Sequence, residues 1–414
     1  ENLKVIVAHS GWQHSAHLAL ALQKAGMLDT YVTTVYDHPR SFLVELLKSV
    51  GPRSFADGMK TRSLGGLDAS KVKMTCLLSG LVSILCARKK WTLLYELNER
   101  QLNWRFGRKV ARMVERCKAD VVVMYEGKAA GAFSYLKKHG VRVIKVVDSA
   151  SACALYVERY MKEEFRRVSD GAPFFESLNR GLGSEAVREE MALADKYLVA
   201  SSYVRKTLCG SGFPSEDVIV CAYGGNFGIG EPRESVAASA PLRLVYCGGV
   251  TPQKGVHHLI SAVAGKRVSL TLVGDALGEE GYLLEHCEAD GSVNFAGKVS
   301  HDDVVRYLDE ADVFVFPSLS DSFSLACAEA LCRGLPVVCT DQTGASDCII
   351  DGDNGFVVPA GDTGALADAI DWFLDNRDQI PRMSRAAIET ARRLTWGRYE
   401  WQIAEEFGRI ADAS

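Results

Sequence analysis

Short blocks of β-branched and aromatic residues alternate with amphipathic stretches along most of the chain. Blocks at residues 3–8, 31–36, 120–125, 141–147, 218–221, 242–247, 269–273, 312–316 and 335–339 are almost continuously apolar. Such runs are too short for buried helices and too unbroken for strands with one wet face, so they predict strands covered on both sides. Between them, apolar residues recur at spacings of three and four, as at residues 15–24, 325–332 and 366–373. Strands alternating with helices of this length predict βαβ units and parallel sheets. The clearest unit is 311–340, ADVFVFPSLSDSFSLACAEALCRGLPVVCT. Its strand stops at Pro317, a Ser-rich loop follows, a helix begins at Leu325, Gly334 ends it, and a second strand closes the unit. The loop brings Asp321, several backbone N–H groups and a helix N-terminus to one place, an arrangement that favours an anion. Glu329 stands eight residues after Asp321, on the second turn of that helix.

The pattern is least legible from 41 to 118. Residues 42–50 read as a helix, 51–69 as a loop and 72–86 as a buried helix, its apolar run too short to span a bilayer. Residues 88–118 read as helical, with ten Lys or Arg against three Glu and Trp91, Tyr95, Trp104 and Phe106 interleaved. Two readings stay open: a helix that docks on an anionic membrane, or a helix pair packed on the sheet with a solvated basic face.

Composition narrows the class. A chain of 414 residues fits two domains, each able to bury a core. The twelve cysteines sit mostly in apolar runs without metal-type spacing, which predicts free thiols in a reducing, cytoplasmic setting. The net charge of −4 hides an asymmetry: residues 1–225 carry +10 and residues 226–414 carry −14. A basic first half suits an anionic partner, a phospholipid surface or a phosphate-bearing acceptor, and equally suits plain solvated charge. With the first partner, the protein would associate with the cytoplasmic face of a membrane. No nucleic-acid partner is expected, and no two-Asp pair or Cys/His set predicts a metal.

Candidate chemistry in the first half lies at strand ends. Gly11 follows the first strand, where a small residue lets backbone approach a phosphate. His14 and His17 lie on the next turns and read as satisfied core or surface histidines. Glu126 and Asp148 end two further strands, where each could orient a hydroxyl, accept its proton or cap a helix.

Residues 321–337 resemble the Glu-x7-Glu signature of the retaining, GT-B fold glycosyltransferases of glycosyltransferase family 4 (glycosyltransferase group 1). That pattern runs close to Glu-Gly-Phe-Gly-Leu-x-x-x-Glu-Ala and then Gly-x-Pro-Val. Here it is Asp321, Ser322, Phe323, Ser324, Leu325, Glu329 and Ala330, then Gly334, Pro336 and Val337. Asp replaces the first Glu and Ser replaces both glycines. Residues 248–255 resemble the family's Gly-Arg-x4-Lys-Gly, with Lys254 in place and Gly249 where the family has Arg. Residues 190–204, 223–226, 274–275, 293–299, 344–347 and 352–359 follow further family segments in order.

The resemblance implies an α/β, GT-B architecture: two Rossmann-like, doubly wound parallel-sheet domains facing a central cleft. It implies an acceptor-binding domain at 1–225, a nucleotide-sugar-binding domain at 226–394, and a helix at 395–414 crossing back to the first. The implied donor site is Gly11, Gly248, Gly249, Lys254, Lys298, Val299, Ser322, Phe323, Ser324, Leu325 and Glu329. Lys254 would clamp the diphosphate, Glu329 would hold the ribose, and Asp321 would hold a sugar hydroxyl. Glu126 and Asp148 stand where relatives often carry His and would serve the acceptor. The implied reaction is retaining transfer of a sugar from a nucleotide-diphosphate sugar, UDP-hexose foremost, to a glycan, lipid-linked or small-molecule hydroxyl. It needs no cofactor and no metal, the donor phosphate itself acting as base. Asp321 and Gly249 keep two alternatives open: an inactive nucleotide-sugar-binding or scaffold protein on this fold, and an epimerase acting on the nucleotide sugar.

Overall fold

The computed structural model describes residues 3–38, 59, 62–168, 171–179, 185–237, 239–287 and 291–412. The first sheet contains β1 (Val5–His9), β2 (Leu28–Thr33), β3 (Val72–Met74), β4 (Val121–Tyr125), β5 (Ile144–Ser149), β6 (Lys196–Val199) and β7 (Val218–Val220). Its helices are α1 (Ser15–Lys24), α2 (Leu77–Arg88), α3 (Thr92–Cys117), α4 (Ala130–Lys138), α5 (Ala154–Val168), α6 (Glu185–Leu193) and α7 (Ser202–Cys209). The second sheet contains β8 (Leu242–Cys247), β9 (Val268–Val273), β10 (Val293–Gly297), β11 (Val313–Phe316), β12 (Val337–Thr340) and β13 (Gly355–Val358). With it come α8 (Val256–Val263), α9 (Glu280–His286), α10 (His301–Glu310), α11 (Leu325–Cys332), α12 (Thr363–Asp375), α13 (Ile380–Ala391) and α14 (Trp396–Asp412).

Strand order is β3-β2-β1-β4-β5-β6-β7 in one sheet and β10-β9-β8-β11-β12-β13 in the other. Every pairing is parallel. The chain winds outward from β1 in one direction and from β4 in the other, and does the same from β8 and β11. Each sheet therefore has a crevice at the carboxyl ends of its central strand pair, the place where open α/β sheets bind ligands. This is the GT-B fold: two doubly wound, Rossmann-like domains. β1 is buried at every position, as are β4, β11 and β12, which is why their sequence is unbroken apolar rather than alternating.

The last strand of the first sheet ends at Val220 and the next begins at Leu242 in the other sheet. α14 then packs on α1, with Trp396 stacked on His17 at 3.6 Å between ring centroids. Its buried Tyr399, Ile403, Phe407 and Ile410 share a core with Val5, Val7 and Leu18. Contact between the domains also comes from α5 and α7. Tyr160 donates to Ala360 O at 3.0 Å, Ser201 to Ser322 O at 2.6 Å and Tyr203 to Ser320 Oγ at 2.8 Å.

Two local expectations shift. Residues 72–86 are not one buried helix: β3 occupies 72–74, and α2 begins at Leu77. α2 touches the protein through Gly80, Ser83 and Cys86, one face at spacings of three, and leaves Leu78 74 % exposed. β2 spans 28–33 rather than 31–36, because its ladder with β1 runs from Leu28↔Val5 to Thr33↔His9. Past it the Thr34 hydroxyl bonds Ser10 O at 2.6 Å and pulls the chain out of register. The helix expected at 42–50 lies outside the described residues, as does most of the loop at 51–69. Among the described residues, no helix is long and apolar enough to cross a membrane.

Candidate active site

The loop after β11 and the turn after β8 meet at the second sheet's crevice. Gly255 makes this possible: its φ of 66° starts α8, and a Cβ there would stand 2.0 Å from Pro317 O. The turn Pro252–Lys254 is thereby pressed against the β11 loop, where Leu319 N bonds Gln253 O at 2.9 Å. Lys254 extends over the Phe316 ring, 5.6 Å from its centroid, and its Nζ reaches Asp321 Oδ2 at 2.5 Å. The two groups expected to handle the donor are thus paired with each other. Asp321 also orders its own loop, Oδ1 accepting from Ser324 Oγ at 2.8 Å and from Phe323 N at 3.3 Å. Asp321 N and O are tied to Gln342 O and Gly344 N at 3.1 and 2.8 Å.

Ser324 enters α11 in the left-handed region, φ 63°, and no side chain caps the first turn of that helix. The N–H groups of the turn keep their partial positive charge for a ligand. Glu329, one turn further, is half-buried, and its carboxyl makes no hydrogen bond or ion pair among the described residues. Burial pushes its carboxyl above the usual range, with His301 pulling the other way. Such a group binds hydroxyl donors well once a ligand shields it from water.

Across the cleft, Glu126 ends β4. Burial raises its pKa, and the Ser149 hydroxyl donates to it at 2.7 Å. Glu126, Ser151, Gln253, Lys254, Asp321 and Ser322 line one cavity of about 340 Å³ between the two sheets. That cavity combines an ammonium and an adjacent open helix N-terminus with one carboxyl from the opposite domain.

The other expected residues are not among those that line it. Gly248 and Gly249 follow β8, and Lys298 and Val299 follow β10, with Lys298 exposed. Gly248 N bonds Val273 O and Gly274 N bonds Gly297 O, both at 2.9 Å, so these strand ends form one continuous edge. Gly249 has open space: a Cβ there meets only Thr251 Cγ2, at 3.8 Å. Gly11 follows β1, its N–H donated to His9 Nδ1 at 2.8 Å.

Asp148 is only 1 % exposed, and its oxygens are taken by His14 Nε2 at 2.9 Å and Tyr223 Oη at 3.5 Å. Sequence reasoning set His14 aside. The structure makes it the outer member of a dyad, packed at a tilt against Tyr223, whose ring in turn meets Phe323 of the loop after β11 at 5.3 Å. Partners so far apart in the chain leave no local signal. Glu190 was likewise invisible as a site residue. Its buried carboxylate accepts from Gly127, Ala129 and Ala130 N–H, plugging the N-terminus of α4 beside Glu126. Burial pushes Glu190 up to about 7 against the pull of those donors.

Two parallel doubly wound sheets facing a cleft that carries these groups define the GT-B class. Residues 231–393 match the family glycosyl transferases group 1. Over 171 residues the chain is 33 % identical to phosphatidyl-myo-inositol mannosyltransferase of Mycobacterium leprae, covering 39 % of this chain and 44 % of that protein. It is 28 % identical over 218 residues to D-inositol 3-phosphate glycosyltransferase of a Nocardioides species, covering 45 % and 47 %. The match thus spans less than half the length of these relatives. Among solved structures, sucrose-phosphate synthase from Thermosynechococcus elongatus superposes with a TM-score of 0.63 at 16 % identity, covering 100 % of both chains. Anabaena HepE in complex with UDP does so with a TM-score of 0.59 at 18 % identity, covering 98 % of this chain and 100 % of that one. The family match thus lies within the second domain, and the whole chain shares the GT-B fold of these solved structures.

Proposed function

We propose that the protein is a retaining glycosyltransferase that moves a sugar from a nucleotide-diphosphate sugar, UDP-hexose foremost, to a hydroxyl of a glycan, lipid-linked or small-molecule acceptor. The observation that carries this reading is the cavity where Lys254, Asp321 and Ser322, beside the open N-terminus of α11, face Glu126 of the other domain. Lys254 and the α11 N–H groups would hold the leaving diphosphate, where negative charge develops as the sugar departs. Glu329 would accept from the ribose hydroxyls. Glu126 would serve the acceptor, and its burial-raised pKa suits a carboxyl that hydrogen-bonds a hydroxyl. The relatives' names, a mannosyltransferase and an inositol-phosphate glycosyltransferase, support sugar transfer. HepE was solved with UDP and with UDP-glucose, which supports the uridine donor.

The first domain supports an anionic acceptor environment. Arg105, Arg108, Lys109 and Arg112 line a surface groove of about 510 Å³ with the start of α2. On the same two helices Leu78, Leu93 and Leu97 are each at least 60 % exposed. Cations flanking exposed apolar side chains suit a phospholipid surface. Cosedimentation with vesicles containing acidic lipid, and its loss with neutral vesicles, tests that contact.

A second reading, a binding protein without turnover, draws on the Lys254–Asp321 ion pair and on Gly249. Thermal shift against nucleoside diphosphates and their sugars, followed by release of the nucleoside diphosphate, separates the two. One base should raise the melting temperature by roughly 5 °C or more at about a hundredfold excess over Kd. Binding with product release supports transfer, and binding without it supports the second reading. No shift with any base would overturn both.

A further inference from the structure

Away from the donor cavity, α5 of the first domain meets α8 and α12 of the second at three buried groups. Glu164, His257 and His258 are all less than 9 % exposed, and one ligand atom from each lies within 4.8 Å of the other two. Glu164 Oε1 is 2.8 Å from His258 Nε2 and 3.7 Å from His257 Nε2. Neighbouring residues on a helix ordinarily point about a quarter turn or more apart. Here the two imidazoles converge, their centroids 4.1 Å apart. His258 Nδ1 is held by Thr363 Oγ1 at 2.7 Å, which fixes the ring and turns Nε2 toward the carboxylate. The other carboxylate oxygen is held by Arg167 Nη2 at 2.5 Å, so Oε1 is the one presented to the imidazoles.

His257 is the unexplained member. It is 95 % removed from solvent, yet among the described residues neither ring nitrogen has a hydrogen-bond partner. Phe175 and Phe174 stand edge-on to its ring at 5.2 and 6.3 Å. A buried imidazole with both nitrogens unpaired has lost its hydration without a replacement partner. Nothing in the donor chemistry calls for it.

We propose that Glu164, His257 and His258 form a zinc-type divalent cation site that bridges the two domains. Zinc takes His nitrogen and carboxylate oxygen at about 2.0–2.2 Å, which sets neighbouring ligand atoms about 3.4 Å apart in a tetrahedron. The observed separations of 2.8 and 3.7 Å bracket that value. In the tautomer that gives Nδ1–H to Thr363, the Nε2 lone pair of His258 faces a carboxylate oxygen, and a cation between them would take one bond from each. His257 gains the partner it lacks, and the fourth position is left to solvent. Linear motif reading misses the set because His258 and Glu164 are 94 positions apart in the chain.

The location gives the ion a consequence. α8 follows directly on Gly255, so His257 lies three residues beyond Lys254. A bound ion would pin the helix that carries the diphosphate clamp to α5 of the opposite domain. Metal occupancy would then couple domain closure to donor binding without touching the donor.

The test uses the full chain, stripped with chelator, titrated with zinc alone, and repeated with cobalt(II) for its absorption spectrum. His257→Phe keeps an aromatic ring among Phe174 and Phe175 and removes only the ligand nitrogen, so the fold is expected to survive. Wild type should bind one equivalent of zinc with a rise in melting temperature, and the cobalt form should show tetrahedral bands without thiolate charge transfer. His257→Phe and Glu164→Gln should each lose that equivalent and that rise, while His257→Phe without metal melts no lower than metal-free wild type. The proposal is overturned if wild type binds no zinc. Equal zinc binding by His257→Phe, or a cobalt spectrum with thiolate bands, overturns it as well, since either assigns the metal to cysteines. A hydrogen-bonded His258–Glu164 pair without metal is the reading that would then stand.

Discussion

The Lys254–Asp321 pair makes a prediction that few other readings of the site would share. Asp321→Asn removes one negative charge 2.5 Å from the ammonium but keeps a carbonyl at the Oδ1 position for Phe323 N–H and Ser324 O–H. The loop should therefore hold its shape while the clamp is released. Lys254 and Asp321 side chains are 25 % and 19 % exposed, so a near-surface effective dielectric applies. Two unit charges about 4 Å apart then interact by about 4 kcal/mol before solvation is counted. Solvation and side-chain ordering offset most of that, as in measured ion pairs, and leave up to about 1 kcal/mol for an incoming phosphate to gain. The substitution should tighten nucleoside diphosphate binding by up to about fivefold. Calorimetric titration of the best diphosphate from the panel reads this directly, and the gain should shrink as salt rises. Asp321→Ala, which also loses the two loop hydrogen bonds, should gain less or bind more weakly. If Asp321→Asn leaves affinity unchanged or weakens it, Lys254 is not the diphosphate clamp and the electrostatic argument is wrong.

The remaining predictions concern the site's edges and its support. Gly249→Arg places a second cation where the Cβ has room, and is expected to tighten diphosphate binding by about tenfold; a loss of binding would show that the edge of β8 does not face the phosphates. Glu329→Ala should weaken a ribonucleotide by about tenfold but leave a deoxyribonucleotide nearly unaffected, whereas Cys332→Ala on the same helix should change neither affinity. Equal losses for both sugars would remove Glu329 from the ribose. Burial beside Tyr125 lowers the His9 pKa from 6.5 to about 4, Lys128 and His14 adding to it and Asp148 opposing. A depressed imidazole contributes stability that is full above 6.5 and lost as pH falls toward 4, up to about 3 kcal/mol. Glu190, raised from 4.5 to about 7, acts oppositely: it costs stability as pH rises through that window. Urea denaturation at pH 7, 5 and 4 should show His9→Asn losing less stability on acidification than wild type, and parallel losses would refute the assignment.

Much of this protein was legible in its linear order. Strands buried on both faces must be continuously apolar, so nine of the thirteen described strands could be read from short β-branched runs. The unit at 311–340 is local in the same way: the strand, loop and helix that present Asp321 and Glu329 are contiguous, and Gly255 marks the close approach that seats Lys254. What the tertiary structure alone decided was pairing across distance. Asp321 is spoken for by Lys254, 67 positions away, and Asp148 by His14, 134 positions away. Glu190 closes a helix end on a different element, and the orphaned His257 meets Glu164 only where two domains touch. Propensity and periodicity act over a few residues, whereas the partner of a charge is chosen by which chain segments packing brings together. The sequence could therefore name the residues that carry charge in this cleft, and the fold alone could say which of them are already paired.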